Sequence, residues 1–584
     1  MTNVRWINDT PYTEKTPFWT RANAGEVLPA PPSPAAWDLT FANGGSVRGW
    51  RDCAVNRLGI GDDELSPNPD ECEFIGLIGG YAYLGATWIR VWAERTPGFS
   101  AAAIDAAYFG DHPDVPVYVA EPWHENPRTT EIMTSWLGVV MGTMDQTELE
   151  ADRVEARKIR AERPTLRALS DSDLLERAVS YRVQCRHMFD QHIYQSGAAA
   201  IGPGALGAIC AAVGRPNDIM SLIAGQGGVD SAAPSYAMWD LGRAVAASPA
   251  LNALFDAGPI GLTARLRASD RTDAKTFVAA LDEFIGEFGS RGPNEWDVLA
   301  DTWETNPDLA LALIDRMRLM PADQAPQLHQ KQGEAERRRI TEEIAAILAA
   351  DPEASATFKA AVASTSVFVP GRERSKTNII RVIEEQRVAL RELGRRTVER
   401  GQLDLVTDVC LLFQDELEEL VAGRLPNVRD TVAARRAHHA WLLTLEPPFI
   451  VNGKAPANTT WPSRADYNAN PVVVGEKIQG MPGCAGKVTG RACIVLDPSD
   501  PTALDYGDSL IAPMTDPAWT PLFVAAVGVV VDVGAALSHA IIVSRELGIP
   551  CAVSVTDATR RIPNGALIEL DGDAGTVTIL ELPA

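Results

Sequence analysis

The sequence predicts a multidomain protein in which a large, mainly α-helical domain is followed by a small C-terminal β/β/α domain. Three observations carry this reading. Apolar residues recur three and four apart from about 129 to 420, linker composition follows at 450–478, and from 479 onward short β-branched runs alternate with helical segments. At 584 residues the chain exceeds one ordinary core and fits two to four domains.

Composition narrows the function. A hydrophobic content of 46% with 22% charged residues is that of a globular protein. The formal net charge of −24 argues against non-specific binding to nucleic acid or anionic membranes, so neither is expected as a partner. Cys53, Cys72, Cys185, Cys210, Cys410, Cys484, Cys493 and Cys551 are scattered, without zinc-like spacing, and read as reduced thiols. No tightly held metal is expected. The N-terminus lacks an apolar signal core and no apolar run reaches the ~20 residues of a membrane span, so a cytoplasmic location is expected.

Taken in order, residues 1–44 are rich in proline and aromatics and read as an extended segment. Residues 45–449 form the helical domain, with a strand expected within Phe74–Leu84 and helices at Glu148–Arg163, Asp171–Tyr194 and Ala274–Phe288. Trp88, Trp92 and Trp123 are candidates for an aromatic pocket, with His124, His187 and His192 as candidate bases beside Glu295 and Asp297. The loop Phe288–Asp297 carries Arg291, Glu295 and Asp297 between helices, a plausible cleft wall. Gly371-Arg372-Glu373-Arg374-Ser375-Lys376 reads as the opening of a helix. Cations there oppose the helix dipole, and a bound anion would compensate them. Gly44-Gly45 and Gly225-Gln226-Gly227-Gly228 lack the strand and lysine of a nucleotide cradle.

The last domain, 479–584, follows a hinge at 450–478. Its strands are expected at Lys487–Leu496, Ser509–Pro513, Ala525–Asp532 and Cys551–Val555, with a hairpin around Asp571–Gly575. Gly534–Ala536 supply a turn, Ser538 an N-cap, and His539 falls in the first helical turn. Free N–H groups at such a terminus favour an anion on the imidazole.

Thr515-Asp516-Pro517, Val531-Asp532-Val533-Gly534 and Ser538-His539-Ala540, followed by Ser544–Pro550, resemble the swivelling phosphohistidine domain of the phosphoenolpyruvate synthase and pyruvate phosphate dikinase superfamily. The resemblance implies that His539 is phosphorylated; Ser538 replaces the family's frequent Thr and keeps the hydroxyl. Thr20-Arg21-Ala22-Asn23 to Pro29 is similar to the segment joining the ATP-binding and substrate-binding parts of rifamycin phosphotransferases. Gly289–Asp297 resembles their Gly-x-Arg-x-x-Gly-Glu-x-Asp loop, with Asn294 at the second glycine, and Arg372-Glu373 with Lys376 their Arg-Glu-x-x-Lys motif. The resemblance implies a substrate-binding domain whose Arg291, Arg372, Arg374 and Lys376 face the phosphoryl group. With no ATP site or pyruvate barrel expected here, it implies ATP and Mg²⁺ on a separate ATP-grasp subunit, as in phenylphosphate synthase, and a phenolic acceptor. A phosphoryl-carrier or regulatory protein, and a rifamycin-type antibiotic phosphotransferase, are the alternatives.

Overall fold

The computed structural model describes residues 4–71, 73–110, 112–465, 470–498, 504–534 and 538–583. Cys72, the hinge residues Asn468-Ala469 and the turn residues Ala535-Ala536 lie outside them.

A large helical region is followed by a C-terminal β-rich domain. Two long helices organise the first. Helix α1 (Arg182–Ala212) packs along α2 (Pro352–Glu399), whose inward face is apolar from Ile379 to Leu393. Gly202 permits the close crossing: a Cβ there would meet the Thr365 hydroxyl at 2.5 Å and its backbone nitrogen at 2.8 Å.

The helix expected to open at Gly371 in fact begins at Pro352. Asp351 caps it, its Oδ1 accepting the N–H groups of Glu353 (3.1 Å) and Ala354 (3.0 Å). It runs through Pro370, where packing against α1 outweighs the ~3 kcal/mol cost of an interior proline. The cations at 372–376 are therefore mid-helix, and the dipole argument for an anion falls away. The expected Asp171–Tyr194 helix is likewise two, breaking at Tyr181 between Asp171–Ser180 and α1.

Residues 1–44 are not simply extended. Strand β1 (Phe18–Thr20) is followed by short helices at Ala24–Val27 and Pro34–Ala36. With the hairpin β2 (Ile75–Ile78) and β3 (Tyr81–Leu84) and with β4 (Ile450–Asn452), β1 forms a sheet in the order β2-β3-β1-β4. Arg21 fixes the bend after β1, donating from Nη1 to the carbonyls of Ala82 (2.7 Å) and Leu28 (3.2 Å) and from Nη2 to that of Pro29 (3.1 Å).

The C-terminal domain is an eight-stranded sheet in the order β5-β12-β11-β7-β8-β9-β10-β6. Its strands are β5 (Lys477–Gln479), β6 (Met481–Cys484), β7 (Lys487–Ile494), β8 (Ser509–Ala512), β9 (Gly528–Val531), β10 (Cys551–Val553), β11 (Leu567–Asp571) and β12 (Thr576–Glu581). Strands β7 to β10 are mutually parallel. The fully buried β8 and β9 read as continuous apolar runs, as parallel strands do. Beyond β9 lies α3 (His539–Leu547), which ends at Gly548 with φ +66°.

Candidate phosphoryl-transfer site

His539 is the first residue of α3, and the loops that hold it follow the carboxyl ends of β8 and β9, the usual ligand edge of a parallel sheet. The ring lies between two hydroxyls. Nδ1 is 3.1 Å from Thr515 Oγ1, and Nε2 is 3.0 Å from Thr520 Oγ1. Ser538 occupies the N-cap position, but its buried Oγ makes no capping bond and has no hydrogen-bond partner among the described residues. The helix terminus is thus formed without the side-chain cap the sequence suggested.

The β-rich domain is docked with His539 buried against the helical region. Burial pushes its pKa well below the usual imidazole value, and Lys376, Arg291 and Arg372 push in the same direction, so the ring is neutral at neutral pH. Arg372 and Lys376, one helical turn apart on α2, act on the same ring. Glu373, between them, bonds Arg372 Nη1 at 2.5 Å and accepts from the Ser231 hydroxyl at 2.7 Å. Burial opposes its ionisation, yet Arg372 and Lys376 hold it down at about 2. Burial among cations lowers the pKa of Lys376, with Glu295 and Glu373 resisting.

The loop at 289–297 forms another wall. Arg291 Nη1 pairs with Glu295 Oε1 at 2.8 Å, and its Nη2 donates to Thr377 Oγ1 at 2.5 Å. Asn294 stands at φ +52°, a left-handed conformation that glycine adopts freely and asparagine tolerates, which accounts for the exchange at this position. Its N–H reaches Asp516 Oδ2 at 3.3 Å, tying the loop to the β-rich domain. Burial raises the Asp516 carboxyl to about 7, aided by the negative Glu295.

The remaining sequence candidates separate. Arg374 points elsewhere, to Glu150 at 2.6 Å and Asp230 at 3.7 Å, because residues two apart on a helix do not share a face. Asp297 is a structural bracket: its oxygens accept from Ser33 N (2.7 Å) and Ser33 Oγ (2.6 Å). His192 abuts the site through Ser375 Oγ at 2.9 Å, and burial with Arg372 and Lys376 pushes it down to about 3. His187 pairs with Asp152 at 2.9 Å on a half-exposed surface. The aromatic trio divides. Trp88, Trp123 and His124 cluster, with ring centroids 5.4 Å and 4.3 Å apart in turn, whereas Trp92 packs on Trp136 at 5.9 Å.

Sequence reasoning assigned no role to Glu26, Thr515 or Thr520, and treated Thr515 and Glu373 only as parts of motifs. Glu26 Oε2 accepts the backbone N–H of His539 at 3.4 Å. Gly25 lets its segment approach, since a Cβ there would sit 2.7 Å from Met514 Cε. The isolated glycines 225–228 also find their use at this contact. Gly225, Gly227 and Gly228 have positive φ; Gly227 N–H donates to Glu546 Oε1 (3.2 Å) and Gly225 N–H to the Arg545 carbonyl (3.4 Å) at the far end of α3. Among the described residues no cluster suited to a metal ion occurs, and no helix is long and apolar enough to cross a membrane.

Comparison with known proteins finds a match in each of the two regions that meet at His539. Residues 192–373 match the rifampicin phosphotransferase fourth domain, and residues 504–575 match the PEP-utilising enzyme mobile domain. Both matched regions are thus similar to domains of PEP-utilising enzymes and rifampicin phosphotransferases. A rifampicin phosphotransferase of Streptomyces sviceus is 31% identical over 52% of this chain and 34% of its own length. The prodigiosin synthesizing transferase PigC of Serratia marcescens is 31% identical over 57% of this chain and 37% of its own. An uncharacterized protein of Mycobacterium tuberculosis is 28% identical over 98% of this chain. The chain spans 63% of that relative's length and smaller shares of the other two.

Proposed function

We propose that the chain carries a phosphoryl group on His539 and, docked as described, passes it to a hydroxyl of a small acceptor. The observation that carries this is a neutral, buried histidine of the β-rich domain set against Arg291, Arg372 and Lys376 of the helical region. The cations suit the negative charge of a transferring phosphoryl group. An ATP-grasp subunit holding ATP and Mg²⁺ is the proposed donor. Its contact with this chain requires α3 to leave the helical region, breaking the His539–Glu26 and Glu546–Gly227 bonds.

The proposed acceptor is a phenolic hydroxyl. Its ordinary pKa of about 10 requires a proton acceptor at neutral pH. A rifamycin-type acceptor is the second reading, favoured by the match over residues 192–373 and by the name of the Streptomyces sviceus relative. The test mixes the chain with an ATP-grasp partner, Mg²⁺ and ATP, and offers phenol, a hydroxyphenyl ketone and rifampicin separately. Aryl phosphate detected by mass spectrometry supports the phenolic reading, and phosphorylated rifampicin alone replaces it with the second. A labelled protein that discharges to none of them points to a carrier or regulatory role instead.

A further inference from the structure

The site holds more carboxyl groups than ion pairing needs, and their bonding differs. Glu373 has both oxygens engaged, one by Arg372 and one by Ser231. Asp516 accepts the N–H of Ala518 at 2.8 Å on one oxygen and that of Asn294 at 3.3 Å on the other. Glu295 has one oxygen free, but its other oxygen is held by the Arg291 guanidinium at 2.8 Å. Glu26 alone among these four combines an unpartnered oxygen with the absence of any hydrogen-bonded side-chain partner. It is buried, its Oε2 bonds the backbone of His539, and its Oε1 has no partner among the described residues.

We propose that Glu26, through its free Oε1, takes the proton of the acceptor hydroxyl during phosphoryl transfer from His539. This rests on the carrier reading above. In the step, the acceptor oxygen forms its bond to phosphorus, the P–N bond breaks with its electron pair going to the ring nitrogen, and the acceptor proton passes to the carboxylate, from which the released ring nitrogen recovers it as neutral imidazole. An unpaired buried carboxyl is costly and is kept where chemistry uses it.

The groups facing Glu26 set its charge. Arg372, Lys376 and Glu373 come from α2, the His539 N–H from α3, and Tyr108 from the helix Ala101–Phe109. Arg21 of its own segment spends its guanidinium on backbone carbonyls. Burial raises the carboxyl to about 7, against the pull of Arg372, the His539 N–H and Lys376. A group near 7 can release and recover a proton at neutral pH. Because the ionised form is the active one, transfer should quicken as pH rises through about 7 and level off above it.

The experiment follows discharge of the full chain after charging by labelled ATP, Mg²⁺ and the ATP-grasp partner, then rapid removal of nucleotide. Water, present throughout, and added phenol serve as hydroxyl probes. Glu26→Gln is expected to take up label as the wild type does, to lose it about 10²- to 10⁴-fold more slowly, and to lack the rise near pH 7. Glu26→Asp should retain the rise with a smaller loss of rate. A Glu26→Gln chain that discharges at the wild-type rate with the rise intact overturns the proposal. So does one that folds, by circular dichroism, but takes no label, since the assigned role begins after charging. A wild-type chain that takes no label fails at the earlier stage and overturns the carrier reading instead.

Discussion

Lys376 and Arg374 are two residues apart in sequence, yet only Lys376 acts on His539. Lys376 depresses the His539 pKa from a buried position, while Arg374 is committed to Glu150 and Asp230. Lys376→Ala should therefore slow discharge of the labelled chain by about 10²- to 10³-fold, the usual cost of losing one stabilising group in a water-excluded site. Arg374→Ala should alter it only a few-fold. Single-turnover kinetics on the two variants checks this, and equal losses would contradict the assigned geometry. His539 itself was singled out in the sequence by resemblance, because the motifs at 515–517, 531–534 and 538–550 surround it in the order of a phosphohistidine domain. Glu26 was not. It lies 513 residues from His539 in a proline-rich stretch, and no local spacing reveals a partner at that range.

The elements that bring these residues together depend on two close approaches. At Gly202 the crossing of α1 and α2 leaves no room for a methyl group against the Thr365 backbone, and those helices carry His192 and the Arg372–Lys376 cluster. Gly202→Ala is expected to lower unfolding stability by about 1–3 kcal/mol through overpacking, measured by denaturant titration. An unchanged midpoint would mean the crossing is looser than described. The course of α2 shows where sequence reading stops. The segment 371–376 reads as a helix start, but the helix runs through Pro370-Gly371 because its packed partner α1 overrides that local punctuation. Periodicity located the helix at Thr272–Phe288 and the strands β8 and β9 to within a few residues, because each presents one uninterrupted apolar pattern.

At the scale of the whole molecule, the β-rich domain is held to the helical region at both ends of α3. His539 meets Glu26 at one end, and Arg545 and Glu546 meet the glycine loop at the other. Buried polar pairs of this kind fix an arrangement without making it strongly stable, which suits the proposed docking and release of this domain. The sequence showed the linker composition and the carrier motif. It could not show which surface the carrier meets, since that surface is assembled from four distant segments. The central claim is that His539 receives phosphate. Peptide mapping under neutral to alkaline conditions, after incubation with the ATP-grasp partner, Mg²⁺ and ATP, tests it most directly. The account predicts acid-labile phosphate on the peptide containing His539 and none in His539→Ala; phosphate on another residue, or label persisting in that variant, would contradict it.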